Sequence, residues 1–469
     1  MLKKFLIFAL VIIIAIPSTT SLSQEPPKGP TYIVQEGDSL WGIAQRFGVS
    51  MNELASINNI TNQDQLSAGM TLVIPGLEGV EGVLTTRTVN YGESLRSLSR
   101  LYQIPISLIA RLNHLVSSGE IYAGYSLVIT ENDSNIVSYK KSMINPGQSL
   151  LELSVLNQVN PWKLVTTNQL SGMWAGLTGD PLLVSGGQSA GPLAFPDEIS
   201  HIEIAPLPLL QGKAVVSKIA TLEGVIINGQ FIDTQLHFFE EKPGSYICLQ
   251  GVHAMTEPGL YPLSLSFEIP GKTEYRFSQM VNVGSVDYPY DPPLTVDPTT
   301  IDPEITQPEE EDWRSLTIPR TEKKLWEGKF QIPSSLSEEF CLETNDCWSS
   351  RFGNRRSYNG STYSYFHTGL DIVGKTGDDI LAPAAGVVVY TGTLTVRGNA
   401  TMIDHGWGVY TGYMHQSEIL VNVGDQVEAG QIIGKVGETG RVEGPHLHWE
   451  VWVGGIQVDP LDWLNNIYP

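Results

Sequence analysis

One pattern, repeated three times at a fixed interval, constrains this chain more than anything else in it. GDSL at Gly37 to Leu40 returns as GESL at Gly92 to Leu95 and as GQSL at Gly147 to Leu150, 55 residues apart each time. Ile57-Asn58 returns as Leu112-Asn113 and Thr167-Asn168. AGMTLVI from Ala68 returns as AGYSLVI from Ala123 and as TGDPLLV from Thr178. A register held at three landmarks makes each copy a folding unit of its own. A chain of 469 residues that begins this way cannot be one core, and several domains are expected.

Each copy reads as strand, helix, helix, strand. In the first, Tyr32 to Val34 is a short strand, and Asp38 or Ser39 caps a helix with Leu40, Ile43, Ala44 and Phe47 on its apolar face. SMNE from Ser50 is a capping box for a second helix, and Leu72 to Ile74 returns as a strand that Pro75 stops. The pattern resembles the LysM family, closely in the first two copies (31–75 and 86–130) and in degenerate form in the third (138–185). That resemblance implies βααβ modules that bind N-acetylglucosamine-containing glycans, chiefly peptidoglycan. The sugar would lie near Gly37, Asp38, Ser39 and Asn58 to Thr61. Taken singly, those polar residues also suit plain capping and turn chemistry.

Before the repeats, residues 1–23 read as an export signal: Lys3 and Lys4, an apolar run from Phe5 to Ile16, then Ser21-Leu22-Ser23 before Gln24. The run is short for a spanning helix, which needs about 20 residues. An uncleaved N-terminal anchor is the alternative, and only then is a membrane a partner. The expected location is extracytoplasmic. A formal net charge of -22 argues against nucleic acid, whose phosphates need Lys and Arg. Of the three cysteines, Cys341 and Cys347 are near enough to bridge in an oxidising compartment, and Cys248 reads as a buried thiol.

Past the repeats, the stretch 196–286 alternates. Tyr261, Leu263, Leu265, Phe267 and Ile269 share one face of a half-buried strand, with turns at Pro258-Gly259 and Pro270-Gly271. An immunoglobulin-like β-sandwich is expected there, as a spacer or docking surface. His201, His237 and His253 have no ligand spacing and read as ordinary histidines. The next stretch, 287–325, reads as an acidic, Pro-rich linker. From Val286 to Trp313 it holds 9 Asp/Glu, 6 Pro and no Lys or Arg, so it should be extended and solvated.

The remainder, 326–469, is rich in short strands and holds five of the chain's 9 histidines. HTGLD begins at His367, YMHQ ends at Gln416 and GPHLH ends at His448. Side chains at i and i+4, or i and i+2, share a face of a strand, so His367 with Asp371 and His446 with His448 are candidate ligand pairs. Three ligands and one water would make an open, catalytic zinc site rather than a closed structural one. Uncoordinated His415 is the candidate general base. The spacing alone does not choose between His446 and His448 as ligand.

The same stretch closely resembles the M23 metallopeptidases, the lysostaphin and LytM group. RFGNRR, HTGLDI, AGVVVY, IDHGWGVYTGYMH, GDQVEAGQIIG and TGRVEGPHLHWEV carry the resemblance. It implies a mainly antiparallel β domain with one zinc ion on His367, Asp371 and His448. It also implies His415 and His446 as uncoordinated catalytic histidines, base and transition-state stabiliser, and leaves His405 structural. Gln416 and Val442-Glu443 depart from the usual pattern without touching a ligand. The expected function is an exported zinc endopeptidase that cuts peptide bonds in peptidoglycan, its LysM modules on the glycan and its groove on the peptide. The alternative is a non-hydrolytic scaffold or activator of another wall hydrolase.

Overall fold

The computed structural model describes residues 29–62, 66–77, 79–131, 139–186, 192–318 and 320–469. The expected export segment, 1–23, lies outside them. Among the described residues no helix is long and apolar enough to cross a membrane. The chain forms two compact units, one around the first repeat up to Thr85 and one from Thr86 onward, apart from a short return at 130–132.

In the first unit β1 (Thr31–Ile33), α1 (Leu40–Arg46), α2 (Met51–Ile57) and β2 (Thr71–Val73) follow the expected order, with β1 antiparallel to β2. Ser39 caps α1 through Gly42 N. Asp38 accepts from the Tyr32 hydroxyl (2.6 Å) and from Gln35 N (2.8 Å), and pairs with Arg46. Asn58 donates to the carbonyls of Leu54 and Val73 and accepts from Val73 N, so it ties α2 to β2.

The second repeat holds β3 (Val83–Thr88), α3 (Leu95–Tyr102), α4 (Ile106–Leu112) and β4 (Ser126–Glu131). The third holds β5 (Tyr139–Met143), α5 (Leu150–Leu156), α6 (Pro161–Thr167) and β6 (Pro181–Ser185). Asn113 and Asn168 repeat the Asn58 bonds, to Ile109 and Val128 and to Leu164 and Leu183. The repeated Asn is therefore a staple between the second helix and the last strand, which explains its fixed place.

The sandwich has two sheets. One runs in the order β11 (Thr234–Leu236), β10 (Ile226–Phe231), β14 (Gly259–Glu268), β15 (Tyr275–Gly284), β8 (Leu209–Leu210). The other runs β12 (Phe239–Lys242), β13 (Ser245–Gly251), β9 (Ala214–Thr221), β7 (Ile199–Ala205). Leu263, Leu265 and Phe267 meet Ile219 and the buried free thiol of Cys248 in a shared core. The coarse expectation of an all-β sandwich matches this architecture.

The second repeat leans on that sandwich. Tyr91 donates to the Leu263 carbonyl, Gly92 N donates to Gln279 Oε1 (2.7 Å), and Ala123 exchanges backbone bonds with Met280 and Asn282. Gly92 is buried there, whereas Gly37, its counterpart in the first repeat, is exposed.

The acidic stretch is not the extended, solvated linker its composition suggested. It is an ordered strap. Leu294 pairs with Ser357 and Asn359 through the backbone, and α7 (Pro303–Ser315) is a helix capped by Asp302. Two of its carboxylates meet the C-terminal domain: Glu309 accepts from the backbone of Thr395 and Val396, and both Glu309 and Glu310 pair with Arg397. Composition registers the charge but not the partners 80 or so residues later that neutralise it.

The C-terminal domain begins with α8 (Glu338–Thr344), where a Cys341–Cys347 disulfide anchors the helix in the core. Strands β16 (Trp348–Ser350), β17 (Arg355–Arg356), β18 (Tyr365–Phe366), β19 (Leu370–Val373) and β20 (Asp379–Leu381) follow. Then come β21 (Gly386–Leu394), β22 (Gly398–Gly406), β23 (Val409–Gln416), β24 (Glu418–Ile419), β25 (Gln426–Val427), β26 (Ile432–Lys435), β27 (His446–Val453) and β28 (Ile456–Val458). The main sheet runs β16-β19-β27-β23-β22-β21-β25, antiparallel throughout, and α9 (Pro460–Asn465) closes the chain. Alternation divides β27 cleanly. Leu447, Trp449, Val451 and Val453 enter the main core, while Trp452 joins Trp313, Tyr410 and Met414 on the opposite face.

Candidate metal centre

That opposite face carries His446, His448 and Glu450. Antiparallel register sets Asp371 on β19 directly across from His448 on β27, and Val373 across from His446. Directly opposed residues share a face, so the carboxylate and the imidazole meet. His367 arrives differently from the strand-based expectation. It lies in the break between β18 and β19, not on one strand with Asp371. Its ring still reaches the same point because Gly353 and Asn354 bond its backbone on both sides.

The three groups converge closely. His367 Nε2 is 2.9 Å from Asp371 Oδ1 and 2.9 Å from His448 Nδ1, and His448 Nδ1 is 2.8 Å from Asp371 Oδ1. All three residues are buried. Each is also held from behind. His367 Nδ1 faces the Arg351 carbonyl at 2.9 Å, Asp371 Oδ2 takes Arg356 Nη2 at 3.1 Å, and His448 Nε2 lies 3.5 Å from Glu450 Oε1.

Those rear partners assign the protons. A carbonyl behind His367 Nδ1 and a carboxylate behind His448 Nε2 require N–H at both positions. The facing atoms, Nε2 and Nδ1, are then bare lone pairs pointing at each other and at a carboxylate oxygen. Such a triangle repels itself unless a proton or a metal cation sits in it, and the donor set fits a divalent metal. Burial would lower His448, but its bonds to the Asp371 and Glu450 carboxylates raise it. Burial pushes His367 down to about 4. Burial would raise Asp371, but His367 and His448 overcome it and hold the carboxyl well below the usual range.

Two further histidines border the triangle. The ring of His415 is 5.0 Å from that of His446 and 6.0 Å from that of His448. Alternation along β23 would send His415 to the core side with Tyr413. Its backbone is left-handed instead (φ 62), and β22 and β23 slip register nearby, which turns the ring toward the site. His415 Nδ1 is bonded to the Thr439 carbonyl and His446 Nδ1 to that of Gly444, both at 2.8 Å, so each leaves Nε2 as an acceptor. Burial, then the neighbouring His446 and His448, hold His415 well below the ordinary histidine range. His405 stands apart, buried between the Ala385 carbonyl and the Thr411 hydroxyl.

The groups open into a cavity of about 910 Å³. Its walls come from three places: the sheet, the loops at Arg397 and Arg441, and the strap at Leu294, Ile301 and Glu310. His253 of the sandwich reaches it too, a placement that no spacing in the sequence marks. Sequence reasoning also passed over Arg356, Glu450, Asp291 and Trp313. Glu450 was within reach, since it follows His448 by two residues and alternation puts both on one face. Asp291, which accepts from Asn354 and pairs with Arg356, left no such signal.

Residues 365–460 match the model of peptidase family M23, and residues 32–75 and 88–130 match that of the LysM domain. The chain carries an M23 peptidase domain and two LysM domains. It is similar to peptidoglycan DD-endopeptidase ShyA of Vibrio cholerae, 41% identical over 24% of this chain and 26% of the relative. It is also similar to the DD-carboxypeptidase/endopeptidase Mpg of Neisseria meningitidis, 43% identical over 20% of this chain and 22% of the relative. The matched segments thus span about a quarter of the length of these curated relatives. Among solved structures, a peptidase M23 from Pseudomonas aeruginosa aligns with a TM-score of 0.41 at 24% identity, over 55% of this chain and 96% of that one.

Proposed function

We propose that this protein is an exported, zinc-dependent endopeptidase that hydrolyses peptide bonds in peptidoglycan and is held on the wall by LysM modules. The observation that carries the reading is the triangle of bare lone pairs at His367, Asp371 and His448, with two acceptor nitrogens beside it in one groove. The names of the relatives, a peptidoglycan DD-endopeptidase and a DD-carboxypeptidase/endopeptidase, support the substrate class.

His367, Asp371 and His448 would hold the ion, one per domain. A bound zinc ion supplies a Lewis acid that lowers the pKa of a water from 15.7 toward about 7 and polarises a scissile carbonyl. His415 Nε2, kept as an acceptor by the Thr439 carbonyl behind it, takes the proton of the attacking water. His446 lies on the same rim and, once protonated, stabilises the developing charge. The walls of the groove exclude water and orient an extended peptide.

Glycan binding falls to the first repeat in this reading. Its turn at Gly37 is exposed and Trp41 stands out beside it, an open aromatic face for a sugar. The matching turn of the second repeat is covered by the sandwich, which serves as an immunoglobulin-like spacer and seat. Gly37→Trp should lose retention on purified wall, while Gly76→Trp, equally open and equally left-handed, should keep it. Equal retention by both would overturn the assignment.

The deciding experiment is digestion of purified wall by wild-type and His367→Ala proteins, read as new amino termini. Release by the wild type alone is expected. Release at the same rate by His367→Ala, or by neither protein, would reduce the chain to a scaffold or activator.

A further inference from the structure

Glu450 is 1% exposed, yet it is a carboxylate with every oxygen engaged. Oε1 takes the Thr368 hydroxyl at 2.7 Å and the Gln457 amide at 3.1 Å, and faces His448 Nε2. Oε2 takes two indole N–H groups, from Trp452 at 2.8 Å and Trp313 at 3.0 Å. Besides His448, three donors (Thr368, Gln457 and Trp452) lie in the stretch that matches family M23. The fourth, Trp313, comes from α7 of the strap, 137 residues earlier.

Three features show that the indole is seated for this bond. Gly412 stands directly across from Glu450 in the β23–β27 register, and a Cβ there would come within 2.8 Å of Trp313 Cζ2. Only a glycine lets the ring lie over β23 and reach the carboxylate. Arg397 covers the outer side of the ring at 5.1 Å and is itself gripped by Glu309 of the same helix. Tyr390 closes the edge at 5.6 Å. The indole is thus fixed on every side, with its single donor aimed at the group that backs a candidate metal ligand.

We propose that Trp313 is a positioning residue for the metal centre: α7 locks Glu450, and Glu450 fixes the tautomer and angle of His448. The strap is then part of the catalytic unit rather than a tether to it. Partners behind a ligating histidine typically change metal affinity by about 10–100-fold when lost. This inference rests on the metal reading above.

Three full-length proteins test it: wild type, Trp313→Phe, which keeps the ring and removes the N–H, and Gly412→Ala, which keeps the N–H and pushes the ring aside. Zinc affinity is read by chelator competition, and ligand geometry by the visible spectrum of the cobalt(II) forms. Both variants should bind zinc about tenfold more weakly and shift the cobalt bands. Thermal melts with and without zinc separate packing from positioning: a packing defect lowers both equally, whereas a positioning defect shrinks the gain from zinc. Unchanged affinity and spectrum in Trp313→Phe, or an unchanged gain from zinc in both variants, overturns the proposal. A wild-type protein that takes up no zinc overturns the metal reading instead.

Discussion

His367 and His448 on one side, and His415 and His446 on the other, gather within a few ångströms at one face of a sheet, yet their surroundings differ. All four have one ring nitrogen bonded to a fixed acceptor, and so all four have a set tautomer. What differs is where the remaining lone pair points. In the first pair the lone pairs meet each other and Asp371 at 2.8–2.9 Å. In the second the rings stand 5.0 Å apart, and His446 Nε2 lies farther from Asp371 Oδ1, at 3.6 Å. Convergent lone pairs ask for a cation, and separate ones are free to move protons. His405 is a third case, with both nitrogens occupied by protein.

The sharpest break of that contrast comes from removing one member of each set. His367→Ala should abolish zinc binding and cut wall hydrolysis by about 10⁴-fold or more, since the metal and its chemistry go together. His415→Ala should retain a full zinc complement while losing about 10²–10⁴-fold in rate, the usual worth of a general base. Metal analysis beside rate measurement reads both. Loss of zinc in His415→Ala would merge the two sets and remove its role as base.

The third environment predicts a stability effect instead. Burial depresses His405 to about 4 from an unfolded value near 6.5, so the unfolded chain binds the proton first. Its contribution is fully present above pH 6.5 and is lost as the pH falls toward 4, by roughly 3 kcal/mol. Urea unfolding of zinc-free protein at pH 7 and at pH 4.5 should show a shallower acid loss in His405→Asn than in wild type. Equal losses would mean that His405 is not the buried neutral group described here. The smallest effect is expected at Arg356, which backs Asp371 as Glu450 backs His448. Arg356→Gln should weaken zinc by about tenfold with its stoichiometry intact, read by chelator competition. Undiminished affinity would mean that the Asp371 carboxylate is held well enough without it.

Much of this was legible in the chain before folding. The 55-residue register announced three βααβ units, and alternation along His446 to Val453 foretold a strand with two unlike faces. The candidate ligands and histidines could be listed from their motifs. The reasons for their convergence were less visible. The expectation that His367 and Asp371 share a strand does not hold, because His367 lies in a break, although the two side chains still meet at 2.9 Å. Alternation alone would also have turned His415 away from the site, where a left-handed backbone turns it inward.

What the sequence determined by itself is local: repeat units, strand faces, helix caps, and the residue types able to bind a metal. These depend on neighbours within a few positions, whose periods of 2.0 and 3.6 are written along the chain. What only the tertiary structure decided is pairing across distance. It made the acidic stretch an ordered strap by bringing Arg397 to Glu309, and it turned the second repeat's Gly92 loop onto the sandwich. It also set Trp313 over Gly412 behind the candidate metal centre. A buried charge or indole N–H is tolerated only where its partner is present, and nothing local names that partner.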